Sequence, residues 1–476
     1  MSHVFPAPGP VGHLLGTHLE GHVAAAHPLS PRAAMAGLPP ITHQLLAYNP
    51  QSIWELETAR LPRPLQALRR RARAFAQTQL QPQALAIDAL PHLPAGEAHP
   101  QVQQLLALAG QEGWLYDMLP PPLGSGAWLQ TPYPLAWRAC LKVEEFSRAC
   151  GGQMLLLCAH QLGMAPIMLS GDLPLIWRSF APAARATRQG RPHLFAFAIT
   201  EPGAGSDAED GHGAAVCKPG VTARRERDGW VLNGDKVFIS GGDLADQVTV
   251  FAALEGEGFE SWTCFLVDKG TPGFRPVRTE LKMGMRASGA AQLSFDQVWV
   301  SDRAVVGGLR QGWSLNRSTL NLSRLPVASM GVGLAQAAVD IATDYACQTH
   351  LGGKRLIDFQ DVQLTLAQMI AETCAARALV WQGARTWSPR QGVASMAKFH
   401  CTDTAISVIH QAMDLMGERA ILHGARLEKL YRDARLTQIF EGTNQINRLS
   451  VIEDLQEDLL ARAAQPTSTS TRRPAP

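Results

Sequence analysis

What the sequence has little of narrows the field first. Its charges nearly cancel: 43 Lys and Arg against 41 Asp and Glu leave +2 over 476 residues. So flat a balance gives no electrostatic pull toward nucleic acid or an anionic membrane surface. No uninterrupted apolar run reaches the roughly 18 residues a spanning helix needs, so no membrane partner is expected. The eight cysteines are scattered, with neither C-x-x-C nor Cys/His ligand spacing. They read as small buried hydrophobes in a reducing compartment, here cytoplasmic, and they offer no metal centre. The N-terminus lacks the basic start and continuous apolar core of a signal peptide, and has too few Arg for a transit peptide. Internal repeats are also missing.

What is present is a large apolar fraction, 46%, enough to fill two or three domains at this length. Residues 1–43, rich in Pro, His, Gly and Ala, read as a flexible extension. From 44 to 190 the periodicity is helical. Leu61, Leu65, Leu68, Ala72 and Phe75 recur at three and four, and the run Arg69, Arg70, Arg71 between them reads as a solvated flank. Between 191 and 305 the pattern changes to short apolar and aromatic runs. Two of them, about Gly229–Leu232 and Asp235–Ile239, are joined by Asn233-Gly234, the strongest short hairpin signal. Helices return over 306–463, and 464–476 is a polar tail. Gly331-Val332-Gly333 invites a dinucleotide reading, but no strand precedes it and the third glycine is missing, so helix packing accounts for it better.

The most informative stretch runs from Tyr431 to Arg448. An apolar run ends at Phe440, then come Glu441 and Gly442. Thr443 and Asn444 stand just before Ile446, Leu449, Ile452, Leu455 and Leu459 at helical spacing. Thr443 or Asn444 is the N-cap. Glu441 then sits on a short loop beside unpaired backbone N–H groups, with Gly442 permitting close approach. A base next to an oxyanion donor is what abstraction of a proton beside a carbonyl requires. Taken alone, such a Glu is more often a solvated first-turn acid.

Three further blocks shift that balance: Phe197-Ala-Ile-Thr-Glu-Pro-Gly-Ala-Gly-Ser-Asp207, Leu232-Asn-Gly-Asp-Lys-Val-Phe-Ile-Ser240, and Lys282-Met-Gly-Met-Arg-Ala-Ser288 running into Leu293-Ser-Phe-Asp296. With the Glu441 segment, their order and spacing resemble the acyl-CoA dehydrogenase family over roughly residues 44 to 462. The resemblance implies an α+β fold: an N-terminal helical domain, a middle antiparallel β-domain and a C-terminal four-helix-bundle domain that builds a homodimer or homotetramer. It implies FAD as cofactor, lined by Phe197, Ile199, Thr200, Gly205 and Ser206, by Phe238, Ile239 and Ser240, and by Gln360, Thr443 and Gln445. It implies Glu441 as the catalytic base, and Ser206, Arg324 and Gly442 as contacts to an acyl-CoA substrate. The implied reaction removes the alpha proton, passes the beta hydride to flavin N5, and gives a trans-2-enoyl-CoA. The electrons then go to electron-transfer flavoprotein. Some members place the base at the position of Ser323, where this chain has no competing carboxylate.

The chain departs from the family pattern in three places. Thr349 stands where an Arg usually reaches the neighbouring subunit's FAD. Met413–Gly417 replaces a Gln-x-x-Gly-Gly loop. Residues 208–220 are inserted after the flavin loop, either gating the substrate or forming a longer surface loop. Three rivals stay open: an oxidase or oxygenase on the same fold, a catalytically idle acyl-CoA- or nucleic-acid-binding relative, and a flavoprotein acting on a non-CoA substrate such as a nitroalkane.

Overall fold

The computed structural model describes residues 57–209 and 211–463. The stretch read as an N-terminal extension and the polar tail lie outside the described residues. Helix α1 (Arg63–Phe75) opens with a proline in its first turn, where the missing N–H costs nothing, and buries Leu65, Leu68, Ala72 and Phe75. Arg69, expected on a solvated flank, is buried instead. Its guanidinium meets Glu144 at 2.8 Å and Glu145 at 3.0 Å, and Glu144 also takes Arg377 at 2.9 Å. Successive helical residues point about 100° apart, so three arginines in a row cannot share one face. Arg70 and Arg71 remain exposed. Arg69 turns toward α3 (Leu135–Ala149), where two adjacent carboxylates receive it.

Between them lies α2 (Pro100–Gln111); α4 (Gly151–Leu169) and α5 (Leu173–Arg188) complete the N-terminal helices. A sheet follows, built from β1 (Phe195–Ala198), β2 (Thr222–Glu226), β3 (Gly229–Ser240), β4 (Gln247–Leu254), β5 (Thr263–Asp268), β6 (Phe274–Thr279), β7 (Ala290–Ser301) and β8 (Val305–Val306). The order is β6-β7-β3-β2-β4-β5-β8, with β1 beside β4. Pairing is mainly antiparallel, with β1–β4 and β2–β4 parallel.

Asn233-Gly234 does not turn the chain back. β3 runs straight through it along β7, and the register slips between Leu232 and Gly234. Asn233 Oδ1 accepts from the Gln297 backbone N–H at 2.9 Å and from its Nε2 at 2.8 Å. A Cβ on Gly234 would lie 2.3 Å from the Gly220 carbonyl. The dipeptide supplies a bulge in a twelve-residue strand whose ladder outweighs the local turn preference.

The sheet is followed by α6, defined as Gly312–Gln348, then α7 (Gln360–Ala384), α8 (Gln391–Met416), α9 (Leu427–Thr437) and α10 (Asn444–Ala463). α6 runs through the middle. A Cβ on Gly331 would stand 2.6 Å from the Cys401 carbonyl of α8, and one on Gly333 2.3 Å from the Glu144 carbonyl of α3. These glycines serve close helix packing. Both α4 and α6 are long and apolar enough to cross a bilayer, yet 67% and 78% of their apolar windows are buried within the fold.

Candidate active site

The loop between α9 and α10 holds Glu441 in the left-handed region at φ 57°, followed by Gly442 at 77°. A left-handed non-glycine residue is strained and persists only where its surroundings hold it. Here Thr443 caps α10, its Oγ1 accepting from the Ile446 N–H at 3.3 Å. Asn444, the other candidate cap, is buried and tied to α8: it accepts from Lys398 Nζ at 2.9 Å and donates to Thr402 Oγ1 at 2.9 Å and Asp403 Oδ1 at 2.7 Å. Lys398 Nζ also donates to the Gly442 carbonyl at 2.7 Å. The loop is thus pinned at the three residues that follow the carboxylate.

Glu441 Oε2 accepts from Ser323 Oγ at 2.7 Å. Burial raises the carboxyl above the ordinary glutamate range, against the lowering effect of Ser323, Arg324 and Lys398. Among the described residues, nothing takes the N–H of Glu441 or of Gly442. The carboxylate forms part of the wall of an open apolar cavity. Leu135, Ala139, Met154 and Leu162 of the N-terminal helices face Leu322, Pro326 and Met330 of α6 across it, and Ser240 reaches it from the sheet.

The glycine-rich turn after β1 is fixed by an ion pair. Lys236 Nζ, fully buried on β3, donates to the Ile199 carbonyl at 2.9 Å and to Glu201 Oε1 at 2.7 Å, and the Val237 N–H donates to the Thr200 carbonyl at 2.9 Å. Glu201 and Lys236 each lie inside one of the motif blocks, the carboxylate just after the apolar β1 and the cation within β3. That was the signal by which the pair could have been found. Ser206 Oγ accepts the Thr443 N–H at 3.0 Å, joining this turn to the Glu441 loop.

The remaining cofactor-side residues divide. Thr200 and Ser240 are part-buried, and no described group takes either hydroxyl. A second register slip, between Lys236 and Ile239, puts Phe238 at φ 59° and leaves its ring 62% exposed, two residues before Ser240. Ile199 and Gly205 are part-buried, and Gln445 is exposed on the first turn of α10. Two side chains are core: Phe197, whose ring packs edge-on against Phe251 at 5.2 Å, and Ile239, 2% exposed. Gln360 is not brought here. It opens α7 beyond Thr349, which caps the far end of α6, and 25 helical residues separate Thr349 from Arg324, about 38 Å.

Arg324 is buried in the fourth turn of α6. It donates to Ser395 Oγ at 3.0 Å and to Glu209 at 3.4 Å. Sequence reasoning missed two members of this group. Lys398 lies on an apolar helix face with Ala394, Ala397 and Cys401, where an unmatched charge was the visible signal. Burial pushes it down to about 7. Glu209 had no such signal, because its segment has no apolar periodicity.

Three family models match in order: the acyl-CoA dehydrogenase N-terminal domain over residues 64–173, the middle domain over 196–298 and the C-terminal domain over 310–456. The short-chain specific acyl-CoA dehydrogenase of Rattus norvegicus mitochondria is 33% identical over 400 residues, covering 83% of this chain and 90% of the relative. The chain belongs to the acyl-CoA dehydrogenase family. It is an FAD-dependent oxidoreductase acting on acyl-CoA. Butyryl-CoA dehydrogenase from Megasphaera elsdenii superposes with a TM-score of 0.73 at 29% identity, covering 83% of this chain and 99% of that one. An acyl-CoA dehydrogenase from Bacillus anthracis, solved with FAD, superposes with a TM-score of 0.74 at 26% identity, covering 85% of this chain and 69% of that one. The residues present in this acyl-CoA dehydrogenase fit the cofactor: an exposed aromatic ring, two uncommitted hydroxyls and a glycine-rich turn stand together.

Proposed function

We propose that Glu441 is the base that removes the alpha proton of the acyl-CoA. One observation carries this: its part-buried carboxylate faces an apolar cavity suited to an acyl chain, beside two backbone N–H groups that no described group takes. A proton alpha to a thioester is too weakly acidic for a carboxylate unless the enolate oxygen is stabilised, and the Glu441 N–H is placed to donate to it. Burial brings the base closer in pKa to the activated substrate. Ser323 orients the carboxylate, while Gly442 and Arg324 bear on the polar part of the substrate, with Ser206 beside them. Thr200, Ser206, Phe238, Ser240, Thr443 and Gln445 hold the flavin side. FAD, when bound, accepts the hydride leaving the beta carbon.

Gln360 and the hairpin His350–Leu351 and Lys354–Arg355 stand too far away to serve this cleft, which supports their serving the cofactor of a second copy. A homodimer or homotetramer is further supported by an apolar stripe on α10, where Leu449, Ile452, Leu455 and Leu459 are all exposed. Electron-transfer flavoprotein as acceptor, and a cytoplasmic location, complete the reading. For the latter, the eight cysteines are free.

The test is a panel of acyl-CoA thioesters with ferrocenium as acceptor, comparing wild type with Glu441→Gln at equal FAD content. The expected loss is about 10²- to 10⁴-fold. An unchanged rate removes Glu441 as the base.

A further inference from the structure

The insertion brings a second carboxylate to the site. Ser206–Glu209 forms one 3-10 turn, and a six-residue helix, Gly211–Val216, follows it. Residues three apart eclipse in a 3-10 helix, so Ser206 and Glu209 point to one side. Ser206 meets the Thr443 N–H, and Glu209 meets Arg324, with side chains only 9% and 6% exposed. A Cβ on Gly442 would lie 2.8 Å from Glu209 Oε2, so the carboxylate rests against the residue following Glu441. The turn therefore bonds the Glu441 loop through Ser206, just before the insertion, and lies against it through Glu209, inside the insertion.

The charged groups around this carboxylate are Arg324, with Arg317 behind it on α6, Lys398, with Asp403 behind it on α8, and Glu441 on the loop. Without Glu209, Arg324 bears on Glu441 as its remaining carboxylate and Lys398 on Glu441 with Asp403 behind it, and each cation favours the ionised, weakly basic form of Glu441. We propose that Glu209 is a positioning residue for the dehydrogenation, holding Arg324 and neutralising it so that Glu441 stays basic enough to take the alpha proton. This rests on Glu441 being the base. Burial pushes Glu209 itself up to about 7, against the lowering effect of Arg324 and Lys398.

The test is the pH profile of kcat/KM for the holoenzyme with its best acyl-CoA from the panel. In Glu209→Gln the acidic limb moves down by about one pH unit, and the plateau falls about 3- to 10-fold as the base weakens. Glu209→Asp, which keeps the charge on a shorter arm, gives a limb between the two. A limb that stays in place in Glu209→Gln, with FAD content and melting unchanged, overturns the proposal, whatever the loss of rate. If Glu209→Gln does not fold, an unmoved limb in Glu209→Asp overturns it equally. Glu441→Gln separates the two readings: if it is inactive while the Glu209 variants keep the wild-type limb, this proposal fails and the base assignment stands.

Discussion

Replacing Glu441 by glycine should disable the enzyme and stabilise its fold. The residue sits at φ 57°, where a side chain costs about 1 to 2 kcal/mol that glycine does not pay. Its carboxyl is raised by burial even with Ser323, Arg324 and Lys398 counted, so the ionised form is a net burden at neutral pH. Losing it does not strand Ser323, whose hydroxyl also donates to the Leu320 carbonyl at 3.1 Å. Against these gains, glycine loosens the unfolded chain at a cost of about 0.4 to 1 kcal/mol. The expected net effect of Glu441→Gly is a stabilisation of about 1 kcal/mol, read from urea unfolding of matched FAD-containing samples at pH 7, with turnover lost by more than about 10². Glu441→Gln removes the charge and keeps the strain, so the Gly-minus-Gln difference isolates the backbone contribution. The pH dependence has a fixed sign. A carboxyl raised on folding binds its proton more tightly in the native state, so wild-type stability declines as pH climbs from the unfolded pKa through the raised folded one. Both variants lose that segment of the slope. A Glu441→Gly protein less stable than wild type by 1 kcal/mol or more would refute the reasoning about strain and burial.

Three other outcomes are expected. Arg69→Met takes away the buried guanidinium that bridges Glu144 and Glu145 and should cost about 3 to 5 kcal/mol in unfolding; a loss below 1 kcal/mol would mean the cluster relaxes or protonates. Gly333→Ala drives a methyl into the Glu144 carbonyl at 2.3 Å, and a loss of about 1 to 3 kcal/mol should appear in the urea midpoint. Ser323→Ala removes a hydrogen bond that lowers the Glu441 pKa, so the acidic limb of kcat/KM should move to higher pH, with the rate at neutral pH falling about 3- to 10-fold; a limb moving the other way would put the hydroxyl in another role.

Much of this molecule is legible in its residues. The change from three-and-four spacing to short aromatic runs and back marks where helices give way to sheet. The E-G-T loop before an apolar helix locates the carboxylate and its Thr443 cap. What failed shares one physical cause, because each failure concerns a partner far away in sequence. Arg69 looks solvated until Glu144 and Glu145 arrive from a helix 75 residues later. Asn233-Gly234 looks like a turn until the β7 ladder holds it straight. Glu209 looks like a surface acid until Arg324, 115 residues on, turns out to face it. Lys398 did give local warning, as a cation among small apolar residues on one helix face, and so did Glu201 and Lys236, as charges beside apolar residues.

The two walls of the acyl cavity differ in how freely they can be redrawn. Pro326 and Met330 ride on the same helix as Gly331 and Gly333, which leave no clearance against α8 and α3, so that wall cannot shift without parting three helices. The facing helix α4 is held as tightly beside Leu162, where a Cβ on Gly163 would lie 2.6 Å from the Ala196 backbone nitrogen of β1, whereas Leu135 and Ala139 stand on the first two turns of α3, ahead of its contact at Glu144. Chain-length preference in this protein is therefore to be reshaped by side-chain size at Leu135 and Ala139, with the backbones on both sides left where they are.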